Sequence, residues 1–197
     1  MQTTPDHFSQ RRRVGPRFVR FAGIFYGALV VAAALWSALR GRELHLLGNS
    51  VVASLLLGAL TAAVTISLGL LAFRLLPVLR EIAEELAPRL VDRADRSGLV
   101  LVAIFSGLGE ETFFRGALQP EFGLVVASLV FGLVHVGPDR RYLVWTALAV
   151  LAGFMFGALY EITGGLLAPI LAHCAHNAVT LLLWKHSRKG AGEAGHP

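Results

Sequence analysis

Long apolar runs constrain this chain more than any other feature of its sequence. Val51 to Phe73 contains no charged residue, and Phe18 to Leu39 is interrupted by a single arginine. A helix needs about 20 mostly apolar residues to cross the hydrocarbon core of a bilayer, and both runs are long enough. Hydrophobic residues make up 55% of the 197-residue chain, and its mean hydropathy is +0.62. This composition excludes an ordinary soluble domain and predicts an integral membrane protein.

The further apolar runs predict an all-α, polytopic transmembrane helix bundle of about six spans. Pro120 and Glu121 interrupt the apolar pattern and predict a turn between the third and fourth spans. Internal repeats are not evident in the sequence, which argues against a transporter built from inverted repeats. The six predicted spans are Phe18–Leu39, Val51–Phe73, Leu99–Leu118, Phe122–Val136, Tyr142–Tyr160 and Gly164–Trp184.

Between the second and third spans, Pro77 to Arg96 has a different character. Apolar residues recur there at helical spacing, at Leu79, Ile82, Leu86 and Leu90, among many charged residues. This pattern is typical of an amphipathic helix that lies at the membrane interface. We expect it to be a connecting helix without a regulatory role.

The basic residues predict the orientation of the chain. The net charge is +5, but lysine and arginine cluster at the ends of apolar runs and lack the interleaved aromatic residues of a nucleic-acid groove. Only Arg40 and Arg42 fall on the side opposite to the other clusters. The positive-inside rule therefore predicts that both termini are cytoplasmic. We also expect the protein to lie in a bacterial inner or cell membrane. We expect no nucleic-acid partner.

Three charged residues inside the third span are the strongest functional signal. An ionised side chain at the centre of a bilayer costs at least about 2.5–3.5 kcal/mol, so Glu110, Glu111 and Arg115 need partners or a function. Glu111 and Arg115 are four residues apart and share a helix face, which allows an ion pair. Glu110 is turned by about 100° from its neighbour and points elsewhere. Glu110 is therefore the carboxylate available for chemistry.

Further polar residues lie in other predicted spans: His135 in the fourth, and His173, His176 and Asn177 in the sixth. Each has an ordinary structural explanation when taken alone, but together they are costly to bury without a shared purpose. A glutamate and a histidine can bind and deprotonate water, while a histidine and an asparagine can stabilise an oxyanion. Glu110, His135 and His173 could instead bind zinc as a His₂Glu set. Sequence spacing alone does not choose between these sites.

Three motifs in this order carry a family resemblance: Glu110-Glu111-x-x-x-Arg115, Phe131-x-x-x-His135 and His173-x-x-x-Asn177. They resemble the CAAX protease and bacteriocin-processing family of intramembrane endopeptidases, which includes the type II CAAX prenyl endopeptidases. The resemblance covers Leu99 to Trp184. It implies that Glu110 and His135 activate the attacking water and that His173 and Asn177 form the oxyanion hole.

The resemblance further implies that Glu111 and Arg115 support the site. Family members have been described both as metalloproteases and as glutamate-dependent enzymes. Because an amide is a poor zinc ligand, the role of Asn177 favours catalysis without a metal. We therefore expect no cofactor, with zinc on Glu110, His135 and His173 as the alternative.

The predicted spans divide the chain into four parts, and the family resemblance suggests the class of substrate. Residues 1–17 are predicted to be a disordered basic tail, 18–98 two spans with the amphipathic connector, 99–184 a four-helix catalytic core, and 185–197 a second disordered tail. Phe114, Phe131 and His176 are candidates for a substrate groove. The expected partners are the bilayer and a membrane-associated protein or peptide. A transporter or non-enzymatic binding module is the competing class.

Overall fold

The structure, a computed structural model, describes residues 7–92 and 94–193, with side chains described for 16–88, 90–92 and 94–188. Within these residues the chain is entirely helical apart from turns and loops, which confirms the predicted all-α class. The helices are α1 (His7–Leu39), α2 (Val51–Leu75), α3 (Pro77–Leu90), α4 (Arg96–Glu111), a π-helical segment (Thr112–Leu118), α5 (Gln119–Leu133), α6 (Tyr142–Thr163) and α7 (Leu167–Glu193).

The described helices include five stretches that are long and apolar enough to cross a membrane: Pro16–Leu39, Val51–Leu75, Arg96–Leu133, Tyr142–Thr163 and Leu167–Arg188. Large apolar side chains such as Ile24, Leu56 and Leu60 are exposed on the outside of the bundle, where lipid tails would cover them. The protein is therefore an integral membrane helix bundle. The count is five because the third and fourth predicted spans are joined without an intervening loop and are counted as one stretch, Arg96–Leu133.

The chain reverses direction within this stretch, but not at the predicted turn. Pro120 lies in the first turn of α5, where proline is tolerated because its missing N–H would have no helical partner. The helical geometry instead breaks at Gly123, which has a φ of 82°. Glycine adopts this left-handed region without the steric cost that a Cβ would impose. The prediction of a turn at Pro120 and Glu121 was therefore wrong by a few residues.

Close contacts at glycines establish the relative directions of the helices. Along α1 and α4 these contacts pair Gly23 with Phe105 and Gly109 with Tyr26, so the two helices are parallel. Gly107 lies against Cys174, while the side chain of Asn177 bonds to Ser106, so α4 and α7 are antiparallel.

The same kind of contact shows that α5 returns through the bundle. The backbone of Gly153 on α6 lies against Ser128, and Gly157 lies against Gln119, so α5 and α6 are antiparallel. α6 in turn packs antiparallel to α7, with Leu159 and Ala168 in one hydrophobic cluster. α5 therefore runs opposite to α4, and it is only 15 residues long. Because the helical geometry breaks at Gly123, the straight part of α5, residues 124–133, spans only about 15 Å, which is less than the hydrocarbon thickness.

The connecting helix ends earlier than predicted. α3 ends at Leu90 rather than near Arg96, and the Asp95 carboxylate then accepts a hydrogen bond from the Gly98 N–H and caps the start of α4. An aspartate at this position stabilises the start of a helix because its carboxylate satisfies a free N–H group.

Both predicted tails are partly helical, contrary to the expectation of disorder. α1 begins at His7, and α7 continues to Glu193. The Lys185 ammonium group donates hydrogen bonds to the carbonyls of Val91 and Ala94, which ties the end of α7 to the start of α4. Residues 1–6 and 194–197 of the predicted tails lie outside the described residues.

Candidate active site

The predicted site residues meet where α4 packs on α7. The Cα of Gly107 faces Cys174 so closely that a Cβ on residue 107 would lie 2.8 Å from the Cys174 backbone nitrogen. This close approach of backbones is possible because Gly107 has no side chain. Glu110 and Glu111 lie one turn from Ser106 along α4, just as His173 and Asn177 are one turn apart along α7. The site therefore has two tiers, one around His173 and one around Asn177.

Glu111 bridges two cationic or protonated partners in the first tier. Its Oε2 lies 3.2 Å from the Arg115 Nε, and its Oε1 lies 3.2 Å from Nη1. The same Oε1 is 2.6 Å from the His173 Nδ1. Since a carboxylate only accepts hydrogen bonds, His173 donates through Nδ1 and directs its Nε2 toward Glu110. Glu111 thus connects the arginine of the first motif to the histidine of the third.

Arg115 is held almost entirely by buried groups. Its side chain is 1% exposed, and its Nη2 donates a hydrogen bond of 2.9 Å to the carbonyl of Gly153. The guanidinium lies 4.5 Å from the ring centroid of Phe131, a cation–π distance. Phe114 packs edge-on against Phe131 at 5.1 Å, and both rings are nearly fully buried. In this conformation these two groove candidates enclose the guanidinium instead of lining an open surface.

Glu110 lies between the two histidines. Its Oε2 is 3.9 Å from the His135 Nε2 and 4.0 Å from the His173 Nε2. The His135 Nδ1 is 2.7 Å from the carbonyl of Phe131, so this nitrogen carries a proton and Nε2 is left free. Glu110 Oε2 is buried and has no hydrogen-bond partner among the described residues. A buried carboxylate oxygen without a partner indicates a place for water or a ligand.

Glu110 is more accessible to solvent from the side of His135 than from the side of His173. The His135 side chain is 27% exposed, compared with 12% for Glu110 and 7% for His173. His135 follows the end of α5, and its carbonyl accepts a hydrogen bond from the Thr146 hydroxyl on α6. The short α5 therefore brings the histidine to the carboxylate from the edge of the bundle.

Asn177 occupies the second tier. Its Nδ2 donates a hydrogen bond of 2.9 Å to the Ser106 hydroxyl, which in turn donates to the carbonyl of Ala103. An amide nitrogen carries two hydrogens, so Asn177 keeps a second donor while Ser106 orients the group. None of the three motifs includes Ser106, so the sequence did not indicate this contact.

Two other residues of α7 face away from Glu110. His176 contacts α2, where its Cε1 lies 3.3 Å from the position of a Cβ on Gly69. The structure therefore places this groove candidate against a neighbouring helix. Cys174 donates a long hydrogen bond of 3.6 Å to the carbonyl of Ile104 and fills the space opposite Gly107. Cys174 is adjacent to His173 on the helix and therefore points in a different direction, whereas His176, three residues after His173, is placed by its contact with α2.

The same geometry bears on the zinc alternative. Among the residues that the structure describes, no three His, Cys, Asp or Glu side chains are arranged to hold a metal ion. The oxygen-to-nitrogen distances of 3.9 and 4.0 Å around Glu110 are wide for ligands that share one zinc ion at about 2.0–2.2 Å each. In this structure Glu110, His135 and His173 are therefore too far apart to bind one zinc ion together.

Two structural supports of the site had no signal in the motifs. The Phe156 ring on α6 stacks on His173 with a centroid distance of 5.0 Å. The π-helical segment begins directly after Glu111 and contains Arg115, and π-helical turns often occur at functional sites. Glu111 and Arg115 still pair at four residues' separation, as their spacing predicts.

Comparisons with known proteins agree with the position of this site. Residues 94–179 match the family model described as Type II CAAX prenyl endopeptidase Rce1-like. YpbD, an uncharacterized protein of Bacillus subtilis strain 168, is 33% identical over 81 residues, which make up 41% of this chain and 42% of that protein. The chain thus aligns with less than half the length of this relative. No solved structure matches the chain significantly. The family resemblance carried by the three motifs is confirmed: residues 94–179, less than half of the chain, are similar to the type II CAAX prenyl endopeptidase Rce1-like family.

Proposed function

We propose that this protein is an intramembrane endopeptidase that hydrolyses a peptide bond of a membrane-associated protein or peptide. The observation that carries this proposal is the free Oε2 of Glu110, which lies between the Nε2 atoms of His135 and His173. A water oxygen about 2.8 Å from both Glu110 and His135 fits between atoms 3.9 Å apart, with an angle of about 90° at the water. The match to a protease family supports hydrolysis as the reaction.

In the proposed reaction, Glu110 and His135 hold this water next to the scissile carbonyl. The water oxygen attacks the carbonyl carbon while its proton moves to Glu110. A new C–O bond forms, and the carbonyl oxygen becomes an oxyanion. The C–N bond then breaks, and the leaving nitrogen takes the proton from Glu110. The oxyanion reforms a carbonyl group as the C–N bond breaks, so one water is consumed and the products are a carboxylic acid and an amine, which exchange a proton at neutral pH to give a carboxylate and an ammonium group.

His173 and Asn177 are proposed to stabilise the oxyanion by donating from Nε2 and Nδ2. His173 can donate there only when both ring nitrogens carry protons, because Nδ1 already donates to Glu111. Two carboxylates, Glu110 and Glu111, then face the imidazolium and Arg115. Two negative and two positive charges give a neutral buried cluster, which limits the cost of burying each charge.

The orientation of the chain is part of the proposal. The starts of α1 and α4 and the end of α7 lie at the same end of the bundle, as the contacts of Gly98 with Val19 and of Lys185 with Ala94 indicate. Most basic clusters of the sequence fall at this end, whereas Arg40 and Arg42 lie at the other, where both pair with Glu121. The positive-inside rule therefore supports cytoplasmic termini in a bacterial membrane.

The test compares purified wild-type protein with Glu110→Gln in lipid vesicles. The reporters are an internally quenched peptide that ends in a farnesylated Cys-aliphatic-aliphatic-X sequence and the same peptide without the farnesyl group. We expect the wild type to cleave at least one reporter and Glu110→Gln to cleave neither, although both proteins fold. The pair of reporters also shows whether a lipid group on the substrate is required.

A cellular comparison covers substrates that the reporters do not represent. Proteomics of membranes that contain wild type or Glu110→Gln should reveal proteins that lose a terminal fragment only with the wild type. Full activity of Glu110→Gln would refute the mechanism. If neither the reporters nor the proteome showed cleavage, and the protein carried protons across liposomes, the transporter alternative would replace this proposal.

A further inference from the structure

Tyr26 on α1 lies outside every sequence motif and outside the region that matches the family model, yet it approaches the proposed catalytic carboxylate. α1 packs along α4 and the π-helical segment through a face that includes the buried residues Ala22 and Ala33. Tyr26 lies on the same face, four residues after Ala22. The side chain is half-buried.

A close backbone contact brings Tyr26 to this position. A Cβ on Gly109 would lie 2.8 Å from both the Cβ and the carbonyl oxygen of Tyr26 and 3.1 Å from its Cα. No side chain larger than hydrogen fits at residue 109 without moving α1. Gly109 immediately precedes Glu110, so the absence of a side chain there allows the phenol to reach the carboxylate. The contact with Gly109 thus places Tyr26 beside Glu110, near enough for its phenol to interact with the charge of the carboxylate.

We propose, on the basis of the function proposed above, that Tyr26 is a positioning residue that donates a hydrogen bond to Glu110 and holds its carboxylate between His135 and His173. A glutamate side chain has several rotatable bonds, and in this site Oε2 has no hydrogen-bond partner among the described residues that would fix it. A phenol is a suitable holder because it donates to a carboxylate without adding a charge to the cluster. α1 thereby becomes part of the catalytic apparatus.

The first test is Tyr26→Phe, which keeps the aromatic ring and removes only the hydroxyl. We expect kcat on the cleaved reporter to fall about 10- to 100-fold, as for loss of a hydrogen bond to a charged group, with KM and the melting temperature unchanged. Tyr160→Phe is the matched control, because Tyr160 lines a separate cavity with Arg42, His45 and Pro120. It should retain wild-type kcat. A wild-type kcat in Tyr26→Phe would overturn the proposal, as would equal losses in both variants.

A double substitution separates positioning from general packing. Glu110→Asp withdraws the carboxylate by one methylene group, so the phenol can no longer hold it in the same place. Tyr26→Phe should then lower kcat by less than twofold when added to Glu110→Asp. If the two losses multiplied instead, Tyr26 would act independently of Glu110 and the proposal would fail.

A second measurement does not depend on activity. The chain has three tyrosines, so labelling of the tyrosine Cζ with ¹³C gives a simple spectrum, and Tyr26→Phe identifies the signal of residue 26. Glu110→Gln should shift that signal and leave the other two unchanged. An unshifted signal would refute the contact. If Glu110→Gln abolished cleavage while Tyr26→Phe cleaved normally, only the role of Tyr26 would fail. If Glu110→Gln cleaved normally, the proposed function itself would fail.

Discussion

Glu111→Gln is the perturbation that best tests how the site is held together. Glu111 is 0% exposed at its side chain and accepts hydrogen bonds from both Arg115 and His173. The substitution keeps the shape of the residue but leaves the Arg115 guanidinium, which is 1% exposed, without its counter-ion. Removing one partner of a buried ion pair costs about 3–5 kcal/mol. At about 1.4 kcal/mol per factor of ten, this corresponds to roughly a 150- to 4000-fold change in the folding equilibrium.

The remaining contacts of Arg115 determine where in this range the expected loss of unfolding free energy lies. Its hydrogen bond to the Gly153 carbonyl and its cation–π contact with Phe131 remain in the variant and retain part of the stabilisation. Phe131 alone contributes on the order of 1–2 kcal/mol as a desolvated cation–π partner. We therefore expect a loss near the lower limit, about 3 kcal/mol. Unfolding of the purified protein by increasing SDS in mixed micelles measures this quantity.

A double variant, Glu111→Gln with Arg115→Met, distinguishes stability from orientation of His173. Removing both charges and restoring an apolar contact should recover most of the lost stability, because no buried charge is left unpaired. Cleavage of the reporter should stay low, because His173 still lacks the carboxylate that orients its Nδ1. Wild-type stability of the single variant would refute the ion pair. Full activity of the stable double variant would refute the orienting role.

Three further predictions test other parts of the structure. Asn177→Ala should lower kcat about 10²- to 10³-fold with little change in KM, as for loss of an oxyanion donor, whereas Ser106→Ala should lower it less than tenfold; equal effects would contradict the assignment. Purified protein treated with EDTA should keep its activity and contain far less than one zinc per chain; loss of activity that added zinc restores would favour a zinc site. Asp95→Ala should lower the unfolding free energy by about 1 kcal/mol through loss of the α4 cap, without changing kcat, and an unchanged unfolding curve would contradict the capping role.

The sequence was sufficient for features that depend on local spacing or on the solvent around a segment. A long uncharged run such as Val51–Phe73 can satisfy its backbone in lipid only as a helix, so the all-α membrane fold follows from composition. The pairing of Glu111 with Arg115 and the separate direction of Glu110 follow from 3.6 residues per turn. For the same reason the shared helix face of His173 and Asn177 could be predicted from their spacing.

Only the tertiary structure decided which groups meet across helices. The contact between Glu111 and His173 joins residues 62 positions apart, and that between Asn177 and Ser106 joins residues 71 apart. Contacts between residues so far apart in sequence depend on how closely the helix backbones approach each other. Glycines at the helix contacts, such as Gly107, set that approach. Helical periodicity contains no information about a neighbouring helix.

The same limit explains the remaining differences. The reversal of the chain depends on the left-handed φ of Gly123, whereas Pro120, the more obvious signal in the sequence, is compatible with the first turn of a helix. Tyr26 has no motif around it and acquires its position only because Gly109 allows α1 to lie directly on α4. Sequence alone determined that a carboxylate is buried in the membrane, and packing determined which groups surround it.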